Sequence, residues 1–480
     1  MQDTLSRRGF IKTTGGLGLG LATAGAGAFS RFSPNEQVNV LSVGVVGSIG
    51  GTDRSQVASH PGARITGLCD VDSNYLEDTR LTHPDAFVCT DYREAFDRYP
   101  DRFDAVIVST PDHTHAPIML TALAHGKHVY GQKPLVQQLE ELEMIDRAMK
   151  ARPDLVTQVG NQRMVYPGRR AAVEILRSGV LGPAVAGYAW TGSPHAGQYF
   201  NHTGTLSDPV PAPEHLDFDL WLGPCESEPF REHLIPLKWR SWWDYGTGGL
   251  GDWGVHVLDV IFYGYDELQS PVSVKTHAPR PSGRFHTYPC ASTVTYAVDS
   301  ERFAGPVFPI YYSDCGQTPS RAALGLPAGG WKDSNMTVVA CEGGVLALTA
   351  GGDLEIWRDG VMTPGLEMPG LPEFPALNHW HAWIDNIHGV RTELRTPFPD
   401  GVRITEPAQT ACGGGTVGLC FRRDRPPITI NTRDRGKLDL GPERIRVKYL
   451  FCTQTFHFKE TEDYREIWPD EDRCFWARRR

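Results

Sequence analysis

No two of the ten cysteines in this 480-residue chain stand in a C-x-x-C arrangement, so neither a zinc ribbon nor a thioredoxin-like redox pair is written in it. Positive charge is also short. The 47 lysines and arginines against 57 acids leave a net charge of −10, which argues against nucleic acid or an anionic membrane as the main partner. Long single-residue tracts and internal repeats with a period of about 20–50 residues are missing, which sets aside low-complexity and solenoid architectures. What is present is 40% hydrophobic and 22% charged, an ordinary globular composition. A chain of this length is too long for one core, and about two or three domains are expected.

The amino terminus is more specific. "SRRGFIK", Ser6 to Lys12, resembles a twin-arginine export signal, and the weakly apolar Gly/Ala/Thr-rich stretch after it contains Ala26-Gly27-Ala28, the small-x-small form of a cleavage site. Residues 1–30 are therefore read as a leader, outside the fold, with a disordered basic tail as the bland alternative. The stretch is short and only mildly hydrophobic for a membrane span. No cysteine precedes Cys69, so a lipid anchor is not indicated. The resemblance implies export to the periplasm or cell envelope as a folded protein, with any cofactor already in place. Some cysteines could pair in that compartment, but the pairing stays open.

Residues 36–160 read as a first domain. "VNVLSVGVVG" is a β-branched run of strand length ending in the glycine-rich turn "GSIGGTDRS". The apolar strands "ARITGLCDVD" and "FDAVIVSTP" follow, with helical stretches between, and such alternation implies a doubly wound parallel sheet. A glycine turn after the first strand lets a pyrophosphate approach a helix amino terminus, here through Gly44, Gly47, Ser48, Ile49 and Gly50. The G-x-G-x-x-G fingerprint read from Gly47 is broken, because Ile49 and Thr52 occupy its second and third glycine slots. Asp70 lies at the end of the second strand, where an acid accepts the hydroxyls of an adenosine ribose; it favours NAD, while Arg54 argues for NADP.

Next comes "STPDHTHAPIMLTALAHGKHVYGQKPL", residues 109–135. It closely resembles the Gfo/Idh/MocA family of sugar oxidoreductases, which shows a TP-x-x-x-H segment, a G-K-H-V stretch and an E-K-P turn. The counterparts are Thr110, Pro111 and His115, then Gly126 to Val129, then Gln132-Lys133-Pro134. Glutamine replaces the family's usual glutamate, which leaves the partner of Lys133 open. The resemblance implies a cofactor-binding role for Thr110, Pro111, His115, Gln132 and Lys133. It also implies a second, α+β domain with a large open, mainly antiparallel sheet, read here over residues 161–425.

That second domain contains a Pro- and aromatic-rich insert whose Trp221, Trp239, Trp242 and Trp243 are candidates for stacking on sugar rings, with plain core packing as the commoner use of tryptophan. The insert runs into "GGLGDWGVHVLD", where Asp252 and His256 stand four apart and share a helix face. Alone this spacing describes an ordinary solvated pair; in the family it faces the nicotinamide together with the lysine of the E-K-P turn. Oxidising a sugar hydroxyl needs a base, a cation to favour the alkoxide and a hydride acceptor. The resemblance assigns these to His256, Lys133 and the dinucleotide, with Asp252 orienting His256 or a neighbouring hydroxyl. His381, Asp385 and His388 lie near one helix face in "NHWHAWIDNIH"; packing through Trp380, Trp383 and Ile384 outweighs a metal site, and no metal is expected. His195 and His202 sit in a Gly- and Ser-containing stretch and are candidates for lining the substrate pocket, without an assigned role. The charged segment 426–480 departs from the family's ending and carries no functional reading.

The resulting expectation is an exported NAD(P)-dependent oxidoreductase acting on a sugar, polyol or glycoside hydroxyl with a retained cofactor, with a small carbohydrate as its substrate partner and paired with copies of itself. Two alternatives stand beside it: a glycoside hydrolase that oxidises its substrate transiently, and a non-catalytic sugar-binding protein.

Overall fold

A computed structural model describes residues 36–192, 208–232, 234–242, 244–269, 271–276, 291–313, 318–390 and 396–412, with two short strands at 437–439 and 444–446. The leader, His195, His202, Trp243 and nearly all of the charged segment 426–480 lie outside the described residues.

The first sheet is parallel and has six strands: β1 (Val38–Val43), β2 (Ala63–Cys69), β3 (Phe87–Cys89), β4 (Ala105–Val108), β5 (His128–Gly131) and β6 (Thr157–Val159), in the order β3-β2-β1-β4-β5-β6. The order reverses beside β1, which creates the crevice where doubly wound sheets bind ligands. Its helices are α1 (Gly50–Ala58), α2 (Ser73–Arg80), α3 (Tyr92–Arg98), α4 (Asp112–Ala124) and α5 (Leu139–Ala151). All four residues of β4 are buried, because helices cover both faces of a parallel sheet and its central strands read as continuous apolar runs.

Past β6, α6 (Pro167–Ser178) leads into β7 (Ala184–Thr191), the short helix α7 (Phe218–Leu222) of the insert, and α8 (Val255–Gly264). The second sheet adds β8 (Ser273–Thr276), β9 (Ala291–Ala297), β10 (Val307–Ser313), β11 (Asn335–Cys341), β12 (Gly344–Thr349), β13 (Leu354–Arg358) and β14 (Val361–Pro364) to β7. Its order is β14-β13-β12-β11-β7-β10-β9-β8, antiparallel except for the β10–β7 pair. The fold is therefore a Rossmann-type α/β domain joined to an α+β domain with an open, mainly antiparallel sheet.

All ten residues of α8 are buried: its apolar side chains pack on more than one side, and its two polar ones, His256 and Asp259, are met by buried partners. It shares a core with α6 and with inward residues of the second sheet such as Phe308, Ile310 and Leu346. Each such fully buried aliphatic or aromatic side chain stabilises by roughly 1.5–3 kcal/mol relative to exposure. At its amino end Val255 belongs to that core, while His256, also buried, borders the cavity beside the first domain. After the second sheet the chain returns through α9 (His379–Ile387) and α10 (Phe398–Cys412), which set Trp383 and Phe398, fully buried, into the cores of the first sheet.

Candidate active site

The carboxyl ends of the parallel strands carry the site: Gly44 follows β1, Asp70 follows β2, Thr110 lies just past β4, Gln132 and Lys133 follow β5, and Asn161 lies just past β6. A cavity of about 990 Å³ runs along this edge from Asp70 and Tyr75, past the glycine turn, to Lys133, Asp252, Trp253 and His256. One end holds the glycine turn and Asp70, and the other brings Lys133, Asp252 and His256 together.

The glycine turn works, though not in the register of the fingerprint. Gly44 has φ 80°, and a Cβ there would lie 2.6 Å from Ser109 O; a Cβ on Gly50 would lie 2.3 Å from Gly44 O. Those two glycines let α1 approach the strand ends. Gly47, at φ 63°, has open space around its Cα, as a backbone cradle for a phosphate requires. Asp70 Oδ2 accepts Val45 N–H at 2.9 Å and Oδ1 accepts Asp72 N–H at 3.1 Å, and burial pushes its carboxyl up to about 6. The Thr110 hydroxyl is buried and has no partner among the described residues. These features fit a dinucleotide, with Asp70 toward the ribose and the turn toward the pyrophosphate. Arg54 is spent on Val45 O and Thr82 Oγ1 and does not line the cavity.

His115 is structural in its contacts. Its ring nitrogens lie 2.8 Å from Pro134 O and 2.8 Å from Thr110 O, so it ties the loop after β4 to the turn after β5. Pro111 caps α4. Gln132 explains its own departure from the family: its Nε2 donates to Asp53 Oδ2 at 2.8 Å, and Asp53, fully buried on α1, also accepts from Ser109 Oγ and Trp380 Nε1. Burial already pushes the Asp53 carboxyl up to about 6 despite those donors. A glutamate at 132 would set two carboxylates together in a dry site.

The partner of Lys133 is Asp252. The Lys133 Nζ lies 2.5 Å from Asp252 Oδ1 and 3.0 Å from Asp252 O, and Arg240 Nε approaches the same Oδ1 at 3.3 Å. Burial opposes the charge on Asp252, but Lys133 and Arg240 outweigh it and hold the carboxyl far below its ordinary range. Asp252 does not orient His256. The turn Leu250–Gly254 is π-helical, and its wider winding takes Asp252 off the column of His256 and over to the lysine. The His256 Nδ1 instead lies 2.7 Å from Asn161 Oδ1. Burial, reinforced by Lys133 and Arg163, lowers the imidazole well below its ordinary range, so the ring is neutral near neutral pH.

Arg240 and Asn161 went unseen in the sequence. Asn161 had a signal, its place just past a parallel strand; Arg240 had none, because the insert brings it in from outside the sheet. The insert is tied along the cavity: Asp217 N–H donates to Val71 O at 2.9 Å, His215 Nδ1 lies 3.0 Å from Asp72 Oδ1, His113 Nε2 lies 2.8 Å from Trp221 O, and Arg240 Nη2 donates to Ser48 Oγ at 2.9 Å. Trp221, Trp239 and Trp242 form the insert's own buried cluster with Leu216, Phe218 and Tyr245. Trp221 and Trp239 also line the cavity, and Trp253 lies beside His256, 5.8 Å between ring centres. His381, Asp385 and His388 are used in docking α9, and no group of side chains able to hold a metal occurs among the described residues.

Residues 38–160 match the oxidoreductase family's NAD-binding Rossmann fold, and residues 173–296 match its C-terminal alpha/beta domain. An inositol 2-dehydrogenase from Rubrobacter xylanophilus is 30% identical over 31% of this chain and 43% of its own length. A glycosyl hydrolase family 109 protein from Shewanella sp. strain ANA-3 is 27% identical over 38% of this chain and 45% of its own. The chain thus spans somewhat under half the length of these two curated relatives. An inositol dehydrogenase homolog from Azotobacter vinelandii, crystallised with NADH and myo-inositol, superposes over 80% of this chain and 97% of its own with a TM-score of 0.52 at 18% identity, a likeness of fold. With the family's two domain models matched one after the other over residues 38–296, the chain belongs to the Gfo/Idh/MocA oxidoreductase family, and its first domain is that family's NAD-binding domain.

Proposed function

We propose that this protein oxidises a secondary hydroxyl of a sugar, polyol or glycoside, using an NAD that stays bound. The observation that carries the reading is the Lys133–Asp252 pair beside the neutral ring of His256, at one end of a cavity whose other end is the glycine turn. Bound NAD supplies the acceptor for the hydride that leaves carbon. His256 takes the hydroxyl proton, and a neutral imidazole is the form able to do so. The Lys133 ammonium favours the developing alkoxide, and Asp252, ionised throughout the working range, holds that ammonium in place. The inositol 2-dehydrogenase relatives support a polyol or sugar as substrate.

Export by the twin-arginine route supports retention, because free dinucleotide is scarce outside the cytoplasm. The insert's bonds along the cavity support it too. A retained cofactor must be restored in each cycle, either by a second substrate or by the same one. The second outcome is the hydrolase reading, which the family 109 relatives favour: oxidation acidifies the neighbouring C–H, the aglycone is eliminated, water adds and the hydride returns. NAD is favoured over NADP by Asp70, whose carboxylate repels a 2′-phosphate. Assembly with copies of itself completes the reading.

The test starts from natively exported protein. Denaturation should release stoichiometric NAD(H), identified by absorbance and mass. The intact protein is then mixed with myo-inositol, free aldoses and aryl glycosides. Reduction of the bound nicotinamide without aglycone release indicates the dehydrogenase; aglycone release without net redox change indicates the hydrolase. Absence of dinucleotide, with none bound on addition, would overturn both and leave the sugar-binding protein.

A further inference from the structure

Both ends of the Asn161 amide are committed. Its Nδ2 donates to Asp259 Oδ2 at 2.9 Å and lies 3.4 Å from Val255 O. Each neighbour is an oxygen that only accepts, so a flipped amide would set oxygen against oxygen on both contacts. The orientation is therefore fixed by chemistry, and Oδ1 faces His256 Nδ1 at 2.7 Å. An amide oxygen only accepts, so Nδ1 carries a hydrogen.

The support behind Asn161 is rigid. Asp259 is ion-paired with Arg169, both side chains fully buried, and accepts Val260 N–H at 2.6 Å. Arg169 Nη2 also donates to His256 O at 2.6 Å, which pins the backbone of the same histidine. The chain of contacts thus runs from a buried ion pair through one amide to one ring nitrogen. A neutral imidazole protonated on Nδ1 keeps its lone pair on Nε2.

We infer that Asn161 is a positioning residue that locks His256 in the Nδ1–H tautomer and so leaves Nε2 as the nitrogen that takes the substrate's hydroxyl proton. The inference rests on the reading of His256 as the base. It differs from the usual arrangement of a carboxylate behind a histidine: the site's carboxylate is spent on Lys133, and an amide fixes the tautomer without adding a charge to the ring's surroundings.

The experiment is nitrogen NMR of full-length holoprotein carrying ¹⁵N-labelled histidine, with His256→Gln identifying the resonance. The wild type should show Nδ1 protonated and Nε2 bare. In Asn161→Ala the single tautomer should be lost, with kcat for myo-inositol, or for whichever sugar of the panel above is turned over, falling about 10²-fold and KM little changed. Asn161→Asp, which can share one proton with Asp259 and still offer an acceptor to Nδ1, should keep the tautomer and most of the turnover. Protonated Nε2 in the wild type overturns the inference whatever the Asn161 variants do. An unchanged tautomer in folded Asn161→Ala overturns it as well. If the tautomer responds as expected while His256→Gln turns over like the wild type, the tautomer assignment stands and the base reading falls.

Discussion

Two helices of this protein carry an acid and a histidine at nearly the same spacing, and they meet different fates. At the start of α8, Asp252 and His256 line a cavity, where Lys133, Arg240 and Asn161 converge on them. On α9, Asp385 takes His60 Nε2–H at 3.0 Å, His381 Nε2 meets Ser59 Oγ at 2.8 Å and His388 Nε2 meets Gly62 O at 2.9 Å. Those contacts dock α9 onto the end of α1 and the loop beyond it. Local pattern does not separate the two; what the topology sets opposite each helix does. The first faces the carboxyl edge of a parallel sheet, where the crevice lies, and the second faces a packed helix end.

The sharpest test of that contrast is at α8. His256→Gln should cut kcat by about 10²–10⁴-fold with the bound dinucleotide intact, because a glutamine removes the base and little volume. On the proposed mechanism His256 acts as the base only when neutral, so kcat/KM should rise with pH through the imidazole's titration and then level. Burial, Lys133 and Arg163 push that titration down, so the acid limb should lie below the ordinary histidine value of about 6.5. A pH–rate profile with its acid limb at or above that value would show that His256 is not the group being read.

Behind α8, Arg169→Met should lower stability by about 3–5 kcal/mol, because it strands the Asp259 charge in a dry core. Burial already raises the Asp259 carboxyl, and without its partner it rises further. A raised carboxyl gives stability that is present at low pH and lost as pH rises, so denaturant melts should show the deficit growing from acid to alkaline pH. A deficit independent of pH would mean that packing, not the charge, is what the arginine supplies.

Parts of this site were legible in the chain and parts were not, for a physical reason. The strand–turn–helix around Gly44–Gly50 and the acid Asp70 lie within one βαβ unit, so local pattern reveals them. Lys133 and His256 were reached through a family likeness carried by "GQKP" and "GDWGVH". The groups that meet them come from other elements: Asn161 is 95 residues from His256, and Arg240, in the insert, reaches Asp252 12 residues on and Ser48 192 residues back. Nothing in the spacing of a glycine-poor fingerprint says that Gly50 serves the close approach, since that depends on Gly44 O across the turn. Of the two partners offered to Asp252, His256 or a neighbouring hydroxyl, His256 is not the one it meets, because a π turn is not visible in a composition of glycine, aspartate and tryptophan.

On α1 lies Asp53, which the turn after β5 and α9 both use, through Gln132 and Trp380. Gln132→Glu should destabilise the protein by about 1–3 kcal/mol at neutral pH, because two buried carboxylates then share one site. The loss should widen as pH rises through about 6, where Asp53 gives up its proton. Adding Asp53→Asn should restore much of the loss, since an amide can donate to the new carboxylate, and the cycle should show favourable coupling in thermal melts. Additive effects would mean that the Gln132–Asp53 contact does not explain why glutamine stands at this position.

The smallest effect belongs to α9. Because His60 Nδ1 accepts Gly62 N–H at 2.9 Å, its Nε2 carries the hydrogen and donates to Asp385. Asp385→Asn keeps an oxygen in reach of that donor, so the expected cost is only about 0.5–1.5 kcal/mol, with turnover and bound dinucleotide unchanged. A metal chelator should leave the melting temperature of the wild type and of the variant where they were. Loss of turnover in Asp385→Asn, or a fall in melting temperature with chelator, would erase the difference between the two helices and give α9 a part in the chemistry. Unchanged turnover alongside a crippled His256→Gln would establish that the same acid–histidine spacing works as a site in one place and as a fastening in the other.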